Sequence, residues 1–171
     1  MKPDAIVYTS NTGFTARYAQ MLGEKLALPV LELKDACKQL PKGTEIIYMG
    51  WLFASAVKGY PKANDRFRVS AVIGVGLCQT GTLIEDVMKT NDIAEGVPVF
   101  TLQGGMDHSK LKGINKFMIN MLIKMMSKAK NPSLEDRAKL ELIRTGGDLV
   151  REENLEAVLR WHGEVTQWVE D

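Results

Sequence analysis

The chain is poor in cysteine and has no excess of charge of either sign. Of its 171 residues only two are cysteines, Cys37 and Cys78, and their separation fits neither a disulfide framework nor a metal or redox motif. Free thiols suit the reducing cytosol, so we expect a cytoplasmic protein. Lysine and arginine number 22 against 21 aspartate and glutamate. This balance argues against a basic face for nucleic acids and against an acidic surface that steers basic partners.

Long apolar runs, targeting signals and catalytic constellations are also missing. No window has the uninterrupted apolar length of a membrane span. The first residues, MKPDAIVYTS, contain Asp4 before any apolar stretch, so no secretory signal peptide is readable. No repeat or low-complexity linker divides the chain, and residues 1–171 are expected to form one domain. His108 and His162 are isolated in the sequence, so we predict no metal site and no catalytic side chain.

Short apolar runs alternate with helical patterns along the chain. Strands are predicted at residues 5–8, 29–33, 44–51, 69–77 and 97–105. Helices are predicted at residues 15–26, 61–67, 83–90, 111–128 and 151–169. Alternating strands and helices indicate an α/β fold, a three-layer sandwich around a five-stranded parallel sheet. Because ligands in such sheets bind at the carboxyl ends of the strands, the segments that follow the strands are the candidate sites.

The segment after the first strand, YTSNTGFTARYAQML at residues 8–22, is rich in hydroxyl side chains. One hydroxyl is enough to cap a helix, whereas Ser10, Thr12 and Thr15 all lie close to Gly13 in the sequence. Helix N-terminal amides and hydroxyls bind phosphate groups, and a glycine lets the backbone approach closely. The pattern is neither the nucleotide P-loop, whose lysine is missing, nor the G-x-G-x-x-G dinucleotide turn. A capped turn with spare hydroxyls is the alternative interpretation.

The stretch IVYTSNTGFTARYA resembles the FMN-phosphate signature of flavodoxins. The positions of that signature are occupied by Ile6, Val7, Tyr8, Ser10, Gly13, Thr15 and Ala19. Met21 stands where the family has an aliphatic residue. The resemblance implies a flavodoxin-like fold with bound FMN, whose phosphate would be contacted by the hydroxyls of Ser10, Thr12 and Thr15 and by the amides of Asn11, Gly13 and Phe14. It also implies that the flavin, not a protein side chain, carries the electrons.

In this resemblance two later segments correspond to the loops that hold the flavin ring. After the third strand, GWLFASAVKGY implies ring contacts from Trp51, Leu52, Phe53 and Ala54. Either aromatic residue could instead be a core residue at the strand end. After the fourth strand, GLCQTG implies contacts from Gly76, Leu77, Cys78 and Gln79, with the Gln79 amide at the pyrimidine edge of the ring. The family often has an acidic residue after this glycine, which this chain lacks, and Cys78 is expected to be a small packed residue.

A segment between the fifth strand and the last helix distinguishes the chain from short flavodoxins. Residues 106–147 form a predicted helical insertion, and KFMINMLIKMM within it resembles the insertion helix of flavodoxin-domain proteins of the menaquinone-dependent protoporphyrinogen oxidase type. One apolar arc of the helix predicted at 111–128 contains Leu111, Ile114, Phe117, Met118, Met121, Leu122 and Met125. We expect this arc to pack against the protein as a wall beside the flavin. A membrane surface or a partner protein is the alternative contact.

The resemblance is compatible with two functional classes. The first is an FMN-dependent oxidoreductase that acts on a hydrophobic small molecule such as a quinone or a porphyrinogen. The neutral charge and the insertion favour this class. The second is a flavodoxin-type electron carrier that docks to a protein redox partner. A module that keeps the fold and has lost the flavin is a third possibility.

Overall fold

A parallel β-sheet forms the centre of the structure, a computed structural model that describes residues 2–111 and 113–170. In chain order its strands are β1 (Ala5–Thr9), β2 (Val30–Glu32), β3 (Glu45–Phe53), β4 (Ala56–Val57), β5 (Arg68–Gly76) and β6 (Val99–Gln103). The spatial order is β2–β1–β3–β5–β6, with all neighbours parallel, and the short β4 pairs antiparallel with the end of β3. The predicted α/β class and the five parallel strands are confirmed.

Helices cover both faces of this sheet. They are α1 (Phe14–Leu26), α2 (Leu33–Gln39), α3 (Tyr60–Arg66), α4 (Ile84–Thr90), α5 (Gly113–Met126), α6 (Leu134–Thr145) and α7 (Glu156–Glu170). Val7 and Tyr48 pack with α2, α3 and α4 on one face, while Ile6 and Ile47 pack with α1 and α7 on the other. Because both faces are covered, the strands are continuous apolar runs rather than alternating ones.

The segment after β6 folds as a separate helical hairpin. Its ends are joined by β7 (Gly105–Met106) and β8 (Gly147–Asp148), which pair antiparallel, and α5 and α6 lie between them. The hairpin has a small apolar core of its own, built from Met106, Leu111, Ile119 and Ile143. Arg17 on α1 forms an ion pair with Asp148, which ties the base of the hairpin to the first helix. The hydrogen bond from Arg17 lowers the pKa of Asp148.

Several details of the sequence-based prediction are wrong. The second strand ends at Glu32, just before α2, and the fifth strand is shorter than expected. β3 continues to Phe53, so Leu52 and Phe53 lie in the strand rather than in a loop. They are held there because Leu52 pairs with Val57 of β4. The helices α2 and α6 were not predicted, although Ser133 and Asp136 form a capping box that marks the start of α6.

The expected packing of the apolar arc at 111–128 is wrong for four of its seven residues, while Leu111 is buried and Met118 and Leu122 are half-buried. Ile114, Phe117, Met121 and Met125 of the predicted arc are exposed, and the buried face of the helix instead contains Ile119. A helical wheel identifies apolar arcs, and this helix has apolar residues on two sides. The wheel therefore could not show which side meets the rest of the protein.

Candidate functional site

The carboxyl ends of β1 and β3 meet where the order of the strands reverses. The chain leaves β1 for β2 on one side and returns to β3 on the other side, which makes this the topological switch point of the sheet. A cavity of about 280 Å³ opens there. Its walls come from the loop after β1, the end of β3, the loop after β5 and the α5–α6 hairpin. Small-molecule sites in proteins are typically roughly 300–1,000 Å³, so the cavity is close to that size.

Most of the predicted cofactor-binding residues line this cavity. They are Ser10, Asn11, Thr12, Phe14, Thr15, Trp51, Leu52, Phe53, Ala54, Gly76, Leu77 and Cys78. Gly13 does not line it, although its backbone forms part of the loop. Gln79 is exposed and lies on a neighbouring cavity of about 650 Å³, so its contact with the ring stays a prediction. Its carbonyl oxygen accepts a hydrogen bond from the Thr82 hydroxyl at 2.7 Å in a local turn.

Thr9, the first hydroxyl of the loop after β1, is used inside the protein. Its Oγ1 donates to the carbonyl oxygen of Lys58 at 2.6 Å, and Tyr48 Oη donates to the same oxygen at 2.7 Å. Burial raises the pKa of Tyr48 well above its usual value, so this phenol stays protonated as a donor. These bonds join the end of β1 to the segment after the β3–β4 turn. They hold two walls of the cavity together.

Ser10 organises the backbone of the same loop. Its Oγ accepts hydrogen bonds from the amides of Gly13 at 3.1 Å and of Ala16 at 3.4 Å. A serine hydroxyl has two acceptor sites and one proton, so the proton of Ser10 is left to donate. Gly13 has a φ of 100°, a left-handed backbone conformation that residues other than glycine rarely adopt. The glycine predicted from the sequence is therefore required by the turn itself.

The Thr15 side chain lies on the wall of the cavity. The residue is only 2% exposed and borders the cavity from the first turn of α1. A threonine hydroxyl has one donor proton and two acceptor sites, so Oγ1 can pair with a polar group of a ligand. Thr12 lies beside it on the same wall.

Lys110 places a positive charge next to this loop. Its Nζ lies 3.6 Å from the position that a Cβ atom on Gly13 would occupy, and 3.6 Å from Asp107 Oδ2. Hydrogen bonds from Ser109 and the nearby Lys110 ammonium lower the pKa of Asp107, so its carboxylate is ionised at neutral pH. The sequence did not predict this lysine as a site residue, because it lies in the insertion and far along the chain from the loop.

Two aromatic rings at the end of β3 form the opposite wall. Trp51 and Phe53 are two residues apart on one strand and therefore share a face. Their rings make an edge-to-face contact with centroids 6.4 Å apart, and Lys58 Nζ lies 5.7 Å and 5.6 Å from the two centroids. Both are half-buried and line the cavity. Ala54 follows with a positive φ in the tight turn to β4.

The remaining walls are apolar. Leu52 packs over Gly74 and Gly76 of β5, where an added Cβ atom on Gly74 would lie 2.8 Å from its side chain. Cys78 is a free, half-buried cysteine that borders both cavities. The hairpin contributes a larger set that was not named as site residues: Met106, Leu111, Ile119, Leu122, Met126, Lys139 and Ile143.

No family model, curated protein or solved structure matches this chain. The site is therefore interpreted from its own geometry. Within the part of the chain that the structure describes, no group of three or more potential metal ligands is present. The cavity wall combines a hydroxyl-rich loop, which has the Lys110 cation beside it, with a larger apolar and aromatic surface. This polarity suits an aromatic molecule that carries an anionic group.

Proposed function

We propose that this protein is a flavodoxin-like oxidoreductase that binds FMN in the cavity at the switch point. The observation that carries the proposal is the hydroxyl-rich loop after β1, which resembles the flavodoxin phosphate signature and lines the cavity with Ser10, Thr12 and Thr15. The strand order supports the same interpretation, because flavodoxin-like sheets have this order and bind FMN between the strands equivalent to β1 and β3.

The loop fits a phosphate group. Thr12 and Thr15 would donate their hydroxyl protons to the phosphate, together with the remaining proton of Ser10. The backbone amides at the start of α1 have no acceptor within the helix, and the helix dipole favours an anion there. Lys110 would add a positive charge from outside the loop. The fit therefore includes donors, a dipole and a cation, which is what a phosphomonoester needs.

The slot between β3 and the hairpin fits a flavin ring. Trp51 and Phe53 provide aromatic surface for a planar ring, and Leu122 and Met126 of α5 add apolar surface to the same cavity. When bound, the flavin ring supplies the electron transfer, and the protein excludes water and orients the ring. The apolar wall from the hairpin supports a hydrophobic, quinone-like or porphyrinogen-like redox partner over a protein partner.

The FMN proposal is tested by comparing FMN with riboflavin, which lacks the phosphate. The apoprotein should bind FMN more tightly than riboflavin, measured by quenching of flavin fluorescence. Thr15→Val should weaken FMN binding about tenfold to a hundredfold and leave riboflavin binding unchanged, since a hydrogen bond to a charged group is lost.

Thr9→Val is the matched control for this experiment. It removes the hydroxyl that donates to Lys58, so it should destabilise the protein without changing the ratio of FMN to riboflavin affinity. Equal affinities of the unaltered protein for FMN and riboflavin would exclude the phosphate loop.

The hydrophobic redox partner is tested by removing the hairpin. Met106 and Gly147 are paired across β7 and β8, so residues 107–146 can be replaced by a two-residue Asn-Gly turn. Dithionite-reduced protein is then mixed with a menaquinone analogue or with ferricyanide, and flavin reoxidation is followed by absorbance. We expect the rate with the quinone to fall about tenfold or more relative to the rate with ferricyanide. An unchanged ratio would favour the electron-carrier function instead.

A further inference from the structure

The helix α5 has apolar side chains on two opposite sides. Its inner side, with Ile119 and Leu122, contributes to the hairpin core and to the cavity wall. Its outer face consists of Ile114, Phe117, Met121 and Met125, which are 73%, 66%, 57% and 65% exposed. At 100° per residue these four positions fall within an arc of about 80°, so they form one continuous stripe. Such a stripe is unusual on a protein surface unless it is a contact site.

Positive charge is concentrated around this outer face. The sequence from 111 to 130 contains five lysines and no acidic residue, although the whole chain has a formal charge of only +1. Lys116 and Lys124 are exposed on α5, on the flank between its two apolar sides. Lys128 and Lys130 are exposed just after the helix. Apolar residues with flanking lysines are the pattern of a helix that lies in the interface of a membrane.

We propose that the outer face of α5 docks the protein on the surface of an anionic lipid bilayer. The four apolar side chains would enter the interface between headgroups and acyl chains, while the lysines contact anionic headgroups. In residues 2–111 and 113–170, no helix is both long and apolar enough to cross a bilayer, so the contact is peripheral. A second copy of the chain fits this face poorly, because it would bring two lysine-rich segments together.

Docking would bring the cavity next to the membrane. The same helix that carries the outer face lines the cavity with Ile119 and Leu122 on its inner side. A quinone-like molecule is dissolved in the bilayer, so docking would place the proposed redox partner one helix diameter, roughly 10 Å, from the cavity. This consequence rests on the proposed function, whereas the docking itself does not.

The test is co-sedimentation of the full chain with lipid vesicles. Vesicles of phosphatidylcholine alone are compared with vesicles that also contain phosphatidylglycerol, at low and at high salt. We expect binding to the anionic vesicles at low salt, weaker binding at high salt, and little binding to phosphatidylcholine. Phe117→Ser with Met121→Ser should reduce binding about tenfold or more, since two exposed apolar anchors are lost. FMN affinity should not change, because neither side chain lines the cavity.

Charge is tested with matched double variants. Lys116→Glu with Lys124→Glu should abolish binding to anionic vesicles, since each lysine near such a surface contributes about fivefold to the affinity. Lys34→Glu with Lys62→Glu makes the same change in net charge on exposed positions of α2 and α3 and should weaken binding far less.

Three outcomes would overturn the docking proposal. One is the absence of binding to anionic vesicles. Another is equal loss of binding in the α5 and control lysine variants. The third is a dimer, detected by sedimentation velocity, that Phe117→Ser with Met121→Ser dissociates without affecting vesicle binding. None of these three outcomes depends on the affinity for FMN. Equal affinities for FMN and riboflavin would in turn reject the proposed function and would not affect the docking proposal.

Discussion

Lys110 belongs to the insertion at residues 106–147 and places its positive charge beside the hydroxyl-rich loop after β1. Its ammonium group lies beside Gly13 and is also paired with Asp107, and its side chain is 61% exposed. Exposed charges contribute modestly, so we expect Lys110→Gln to weaken FMN binding about fivefold, equivalent to roughly 1 kcal/mol. Riboflavin binding should not change. Lys116→Gln removes an exposed lysine from the same insertion and is the control. Equal effects on FMN and riboflavin would mean that Lys110 does not contact the phosphate.

The loop after β1 shows how far single residues can be predicted from the sequence. Several hydroxyl side chains close to Gly13 indicated a phosphate site. In the structure Ser10, Thr12 and Thr15 line one cavity. The sequence could not tell that Thr9 is bonded within the protein, because its partner is the Lys58 carbonyl, 49 residues away. It could not indicate Lys110 for the same reason. Local patterns reveal the donors of a loop, whereas their partners depend on tertiary contacts.

At the scale of elements, the α5–α6 hairpin behaves as a unit with its own core. Ile143 is 1% exposed in that core, and Ile73 is fully buried in the central sheet. Truncating a buried isoleucine to alanine typically costs about 2–5 kcal/mol. We expect Ile143→Ala to accelerate amide hydrogen exchange within residues 113–145 and leave the exchange of β1 and β3 nearly unchanged. Ile73→Ala should instead raise exchange throughout the sheet. A global effect of Ile143→Ala would show that the hairpin unfolds together with the sheet.

The elements of the sheet were easier to predict than those of the hairpin. Buried parallel strands are continuous apolar runs, so all five could be found from the sequence. The helix α6 was missed because its apolar residues are few and its start depends on the Ser133–Asp136 capping box. The outer face of α5 was assigned to the wrong environment because the wheel shows two apolar sides. Only the position of the hairpin on the sheet decides which one is buried.

At the scale of the whole molecule, His162 makes stability depend on pH. It is buried on α7, and its Nε2 has no hydrogen-bond partner among the residues described. Burial, and to a lesser extent Lys2, lower the pKa of His162 below the ordinary value of 6.5. Between these two pKa values the unfolded chain binds more protons than the folded one, so stability rises with pH. The stabilisation is present above about pH 6.5 and is lost as the pH falls toward the folded pKa.

Thermal unfolding between pH 5.5 and 7.5 checks this dependence. The melting temperature of the unaltered protein should increase across this range, and carboxylates contribute little to the change because most of them titrate at lower pH. His162→Phe keeps a ring against Trp161 and removes the titrating group, so the increase should become smaller. His108→Gln alters an exposed histidine of the hairpin and should retain the full increase. If the melting temperature of His162→Phe increased as much as that of the unaltered protein, His162 would not be the origin of the pH dependence. The pKa of its imidazole would then be the same in the folded and the unfolded chain.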